Sequence, residues 1–158
     1  MALATHTVSI NPAFLLEIKE DHHELRQLLH HVGATLNRPA WMSMETARLV
    51  ELFAKLRDQL AMHFSLEEAY GYFEDAISGA PHLSRRAESL RAQHAELFSD
   101  LCRLAEYSEQ LPYEKSRSGL MAGLAEGFHR FADRLQEHEA RESDLILEAM
   151  NQDIGTGD

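Results

Sequence analysis

The chain has 158 residues and a formal charge of −11, from 26 acidic against 15 basic side chains. That length fits one domain around a single core, and that charge argues against nucleic acid as a partner, because phosphate recognition needs a basic footprint. One cysteine, Cys102, excludes a disulfide within the chain and a thiolate zinc site.

The opening MALATHTVSI has no basic n-region and no apolar h-region, and no stretch approaches the ~20 apolar residues of a membrane span. A cytoplasmic protein without membrane attachment is expected. Residues 1–11 read as a polar arm. Asn11-Pro12 then supplies an N-cap followed by proline at the first helical position, and helical periodicity runs to about Leu36 before Asn37-Arg38-Pro39. The second helical segment runs from about Ser43 to Ile77 and stops at Ser78-Gly79-Ala80-Pro81. The third runs from about His82 to Gln110, ahead of Pro112. The fourth runs from about Tyr113 to Met150, with 151–158 as a tail. No alternating strand pattern is present. Breaks this short join antiparallel neighbours, so residues 12–150 are expected to form an all-α, up-down-up-down four-helix bundle.

The inward stripes of these helices are interrupted by polar residues. The first carries Leu15, Ile18, His22, Leu25, Leu29 and Leu36. The second carries Leu49, Leu52, Leu56, Leu60, His63, Glu67 and Tyr70. The third carries Leu83, Ala87, Leu90, His94, Leu97, Leu101 and Leu104. The fourth carries Leu124, Phe128, Phe131, Leu135, His138, Glu142 and Leu145. His63–Glu67 and His138–Glu142 share a spacing of one helical turn, which projects imidazole and carboxylate from the same face. Polar groups on an apolar stripe are costly unless something satisfies them.

Their heights also agree. At ~1.5 Å per residue, measured from the end of the bundle that holds Pro12, His22 lies ~15 Å up, His63 ~21 Å, Glu67 ~15 Å, His94 ~18 Å, His138 ~18 Å and Glu142 ~12 Å. Four nitrogens and two carboxylates in one band suit a pair of transition-metal ions, and donors without thiolate favour iron, manganese or zinc.

The remaining histidines read as solvent-facing or peripheral. His23 lies on a mostly polar stripe, His30 and His31 face solvent or the bundle edge, and His129 points away from the His138 face. His82 begins a helix and His6 lies in the arm. Glu68 reads as solvated, Cys102 as a small buried residue and Tyr70 as core filling. The acid-rich runs Glu17–Glu24 and Glu137–Glu142 otherwise read as exposed helix faces.

These residues resemble the hemerythrin/HHE cation-binding family. The resemblance rests on His22 in KEDHHELRQLL, His63 and Glu67 in HFSLEEAYGYF, His94 in AQHAEL, and His138 and Glu142 in HEARESDLI, over about residues 12–150. It implies the antiparallel four-helix bundle and a non-haem centre of two iron ions with an oxo or hydroxo bridge. By the same resemblance Glu67 and Glu142 would be bridging carboxylates, and His22, His63, His94 and His138 terminal ligands. The oxygen-carrying members have a second histidine four residues from the one on the third helix; here the flanking positions are Leu90 and Phe98. They also have an aspartate five residues after the fourth-helix histidine, where this chain has Ser143. The pattern is closer to the histidine-poor branch, which leaves more metal positions open to a small ligand. A ferritin-like arrangement needs two Glu-x-x-His motifs; Glu20–His23 offers one, and no second accompanies it.

The expected function is therefore binding of dioxygen, nitric oxide or related small oxidants at a di-iron centre, as a sensor or scavenger. The alternatives are a metal-binding or iron-handling protein without turnover, and a peroxide-consuming or oxidase-like di-iron enzyme. A monomer is expected from the acidic surface.

Overall fold

The computed structural model describes residues 12–37, 46–69, 80–114 and 117–155. Four helices account for nearly all of them: α1 (Pro12–Leu36), α2 (Thr46–Ala69), α3 (Ser84–Glu109) and α4 (Arg117–Gly155). Short 3-10 turns at Pro81–Leu83 and Leu111–Tyr113 precede α3 and α4. No strand occurs among the described residues. The expected N-terminal arm, Tyr70 and the side chains of Leu15 and Ile18 lie outside this description.

The helices are antiparallel neighbours. On α3 and α4, Arg86 pairs with Glu148, Arg134 with Asp100, and Gln93 with His138, so residue numbers fall on one helix as they rise on the other. The same holds across α1 and α4, where Gly33 lies beside Phe128 and His22 beside Glu139. Successive helices pack side by side along the chain, whereas α4 closes back on α1 through fewer contacts. The α1–α4 seam closes the bundle.

Local chemistry sets the ends. The Asn37 N–H donates to the Gly33 carbonyl at 3.0 Å and closes α1. Pro112 cannot supply an N–H to a continuing helix, so the chain tightens into a 3-10 turn that drops Leu111 fully into the core. The helix α4 continues to Gly155, five residues past the expected Met150, because Asn151 to Ile154 contain no helix breaker. The expected start of α4 at Tyr113 moves the other way, since Leu111–Tyr113 is a 3-10 turn and α4 begins at Arg117.

Among the described residues the core is divided. The larger apolar cluster includes Leu25, Val32, Leu49, Phe53, Leu56, Leu60, Leu97, Leu101, Leu124, Phe128, Phe131 and Leu135. A smaller one at the other end contains Ala80, Leu83, Ala87, Leu90, Leu145 and Ala149. Between them along the helices lie the buried polar residues His63, Glu67, His94, His138 and Glu142. At ~25 cal/mol per Å² of apolar surface removed from water, the two clusters supply the main drive for bundle formation. The polar layer interrupts it and calls for a chemical explanation.

Candidate metal centre

The structure brings the six expected side chains to one level. His63, Glu67, His94, His138 and Glu142 are each no more than 4% exposed. His22 is partly buried and stands at the edge of the group, its ring centroid 5.6 Å from that of His63. Glu67 reaches two histidines with different oxygens: Oε1 lies 2.9 Å from His63 Nε2, and Oε2 lies 3.3 Å from His94 Nε2. Glu142 Oε1 lies 2.6 Å from His138 Nε2 and 3.1 Å from His94 Nε2. Phe64 stacks on the His94 ring at 4.0 Å and walls the group from the larger apolar cluster.

The opposite ring nitrogens are anchored by other residues. His63 Nδ1 donates to Asp21 Oδ2 at 2.8 Å, and the Gln59 amide holds the other Asp21 oxygen at 2.7 Å. His94 Nδ1 donates to Glu68 at 3.2 Å. His138 Nδ1 donates to the Gln93 amide oxygen at 2.9 Å. Anchoring one ring nitrogen in this way fixes the tautomer that leaves Nε2 free to ligate.

Sequence reasoning missed these anchors and the buried Glu139. The run around Asp21 and Glu139 reads as an exposed acidic face, yet Asp21 is 7% exposed and the Glu139 side chain 14%. Each is the immediate chain neighbour of a site histidine, one position off the apolar stripe, and a neighbouring helix covers it. Glu68 is half exposed, as a solvated residue should be, but it also orients His94. Gln93 carried no signal beyond its place next to His94. Cys102 is free and only partly buried, where a buried position was expected. His23, His30 and His31 are exposed as expected, and His129 is exposed with its ring on Asn37.

The electrostatics follow from the geometry. Burial works against a charged His63 ring, but Glu67 and then Asp21 outweigh it and push its pKa up to about 9. Burial likewise opposes charge on His94, and Glu142, Glu67 and Glu68 raise it to about 9. Burial would raise the Glu67 carboxyl, yet His63 and His94 together hold it down at about 2. His22 is lowered by burial, with Arg26 and His63 adding to the effect. Glu139 is raised, chiefly by burial. Protons on His63 and His94 thus balance the buried carboxylates, a balance that a cation can take over.

The donor set fits such a cation. His63 Nε2, Glu67 Oε2, His138 Nε2 and Glu139 Oε1 are all buried without a well-directed hydrogen bond. Native structures leave few such atoms, and each calls for an explanation. Here all four belong to the same layer. Two compact groups emerge, His22–His63–Glu139 and His94–His138–Glu142, each with donor atoms within 4.8 Å of one another. A cleft of about 220 Å³ along the α1–α4 seam reaches the centre, lined by His22, Arg26, His63, Glu67, Glu139 and Glu142 among others.

An antiparallel four-helix bundle with a buried layer of histidines and carboxylates defines a class of proteins that hold metal cations between their helices. Within that class, the model of the hemerythrin HHE cation binding domain matches residues 14–150, and the chain belongs to this family. No curated protein and no solved structure is matched in the corresponding comparisons. Among the described residues, no helix is long and apolar enough to cross a membrane.

Proposed function

We propose that the bundle holds a non-haem di-iron centre and engages dioxygen, nitric oxide or a related small oxidant there, as a sensor or scavenger. His22, His63, His94 and His138 would be the nitrogen ligands, and Glu67 and Glu142 the carboxylate ligands; Glu67 directs its two oxygens at His63 and His94, whereas Glu142 Oε1 lies against His138 and His94. Iron would supply the redox chemistry of small-oxidant binding. The chain supplies the donors, the anchors on their outer nitrogens and an apolar surround that includes Leu25, Leu60, Leu97 and Leu135, all at most 2% exposed.

The observation that carries the reading is the seam cleft. At about 220 Å³ it falls below the ~300–1,000 Å³ of pockets that enclose organic ligands. It has room for a few waters or a diatomic molecule, at ~30 Å³ per water. It ends on His22, His63, Glu67 and Glu142, so a small ligand entering it meets the metal-facing donors directly.

The test is reconstitution with ferrous iron under anaerobic conditions, followed by metal quantification and exposure to air. Two irons per chain, and near-ultraviolet ligand-to-metal bands that develop on oxidation, are expected. Reversal of those bands when oxygen is removed would support carriage or sensing over turnover. His63→Ala and Glu142→Ala should each fall well below two irons. Full iron retention in both variants would remove the ligand assignment. Zinc held in preference to iron, with no spectral response, would leave a metal-binding protein without redox function.

A further inference from the structure

We propose that Glu139 would be a direct ligand of the ion that His22 and His63 hold, a carboxylate donor to that ion beyond Glu67 and Glu142. This inference rests on the dinuclear reading above and adds a seventh donor to it.

The distances carry the argument. Glu139 Oε1 lies 3.8 Å from His22 Nδ1, beyond the ~3.2 Å limit of a sound N–H to O hydrogen bond. Two donors each ~2.1 Å from one ion sit between ~3.0 Å apart at a right angle and ~4.2 Å apart in line. The observed separation falls in that interval. It also contrasts with the three anchors, where Asp21, Glu68 and Gln93 approach ring nitrogens at 2.8, 3.2 and 2.9 Å. Glu139 is therefore too far from His22 to be a fourth anchor of the same kind.

The partner atoms point the same way. Glu139 Oε1 is buried without a hydrogen-bond partner, and His63 Nε2, on a side chain only 3% exposed, lies 2.9 Å from Glu67 Oε1 without a well-directed hydrogen bond. His22, His63 and Glu139 each offer a donor atom to one compact group, within 4.8 Å of one another.

Glu142 is committed elsewhere, because its Oε1 lies against His138 and His94. Residues at i and i+3 on a helix are surface neighbours, so Glu139 and Glu142 on α4 present carboxylates to adjacent parts of the layer, one to each histidine pair. Glu67 spans the pairs with its two oxygens. Glu139 also lines the seam cleft, which places its ion on the side reached from solvent.

The experiment loads full-length protein with ⁵⁷Fe(II) anaerobically and removes loosely held metal with a graded chelator. Retained iron is counted and its Mössbauer doublets recorded, with circular dichroism as the check on folding. Wild type is expected to retain two irons. Glu139→Ala and Glu139→Gln should both retain one, with the second weakened by roughly a hundredfold or more, beyond the ~10–100-fold typical of losing an outer hydrogen-bond partner. The isosteric glutamine keeps the experiment decisive if the alanine variant folds poorly. Recovery of the second iron in Glu139→Gln alone would make Glu139 a positioning partner of His22 and overturn the proposal. Two irons held as tightly as in wild type by both variants would overturn it while the dinuclear reading stands. Failure of wild type itself to hold two irons would overturn both.

Discussion

Asp21 shows how a candidate metal site depends on residues that orient its donors. It takes the outer nitrogen of His63 with one oxygen and the Gln59 amide with the other, so it sets both the tautomer and the aim of the ring. Replacing it with alanine should weaken metal binding by about 10–100-fold while the helical content stays unchanged, as chelator competition would reveal. The raised pKa values of His63 and His94, both about 9, make a second expectation. At pH 7 both rings carry protons in chelator-stripped protein, and metal must expel them, so loading should release about two protons per chain. Titration calorimetry in buffers of different ionisation enthalpy measures that number; release of none would contradict the electrostatic picture. For the stripped protein the signs are fixed by linkage. The contribution of His63 and His94 is complete below 6.5 and is lost as pH rises through about 9, and that of Glu67 is complete above 4.5 and is lost as pH falls through about 2. Stability should therefore peak between these limits, and denaturation midpoints across pH would check it. His63–Glu67 and His138–Glu142 could be read from sequence because a four-residue spacing on a leucine stripe leaves few other uses. Asp21, Gln93 and Glu139 could not, because their burial comes from a helix distant in sequence, and an acid beside a ligand looks like any solvated face.

At the scale of the elements, the helices were legible in type and order, and less so at their ends. Periodicity locates α2 and α3 because Leu49, Leu52, Leu56 and Leu60, and Leu90, Leu97 and Leu101, recur at helical steps and are all buried. The 3-10 turn before α4 was not legible, since the conformation of Leu111–Tyr113 depends on Leu111 finding a place in the core. Phe53 and Met121, both nearly inaccessible, lie beside the expected stripes because the buried face of a bundle helix is wider than a single seam. Glycines within α4 differ in what surrounds them. A Cβ on Gly119 meets nothing within 4 Å, whereas on Gly127 it would come 2.8 Å from Leu104 Cδ2. Gly119→Ala should stabilise the protein by about 0.5–1 kcal/mol through helix propensity alone. Gly127→Ala should gain less, because Leu104 has to move. Thermal denaturation of the two variants side by side would distinguish them. Leu56→Ala, which removes a fully buried side chain, should cost roughly 2–5 kcal/mol.

For the molecule as a whole, the division of the core by a polar layer determines how the bundle comes apart. Among the described residues, the smaller cluster, from Ala80 to Leu90 on one side and Leu145 to Ala149 on the other, is separate from the larger one. In the proposed reading a pair of metal ions bound between them would join the two ends through ligands drawn from all four helices. Ligand binding to the folded state adds stability of about 2.7 kcal/mol when free metal is a hundred times its dissociation constant. Here that increment falls on the joint between two packing units. Removing the metal should then do more than lower a midpoint: it should break one cooperative transition into two. Backbone amides of 84–91 and 142–149 would exchange with solvent first, while those of 49–60 and 124–135 stay protected until the whole bundle opens. Hydrogen exchange on loaded and stripped protein would show whether the metal also acts as the rivet that makes the two ends unfold as one.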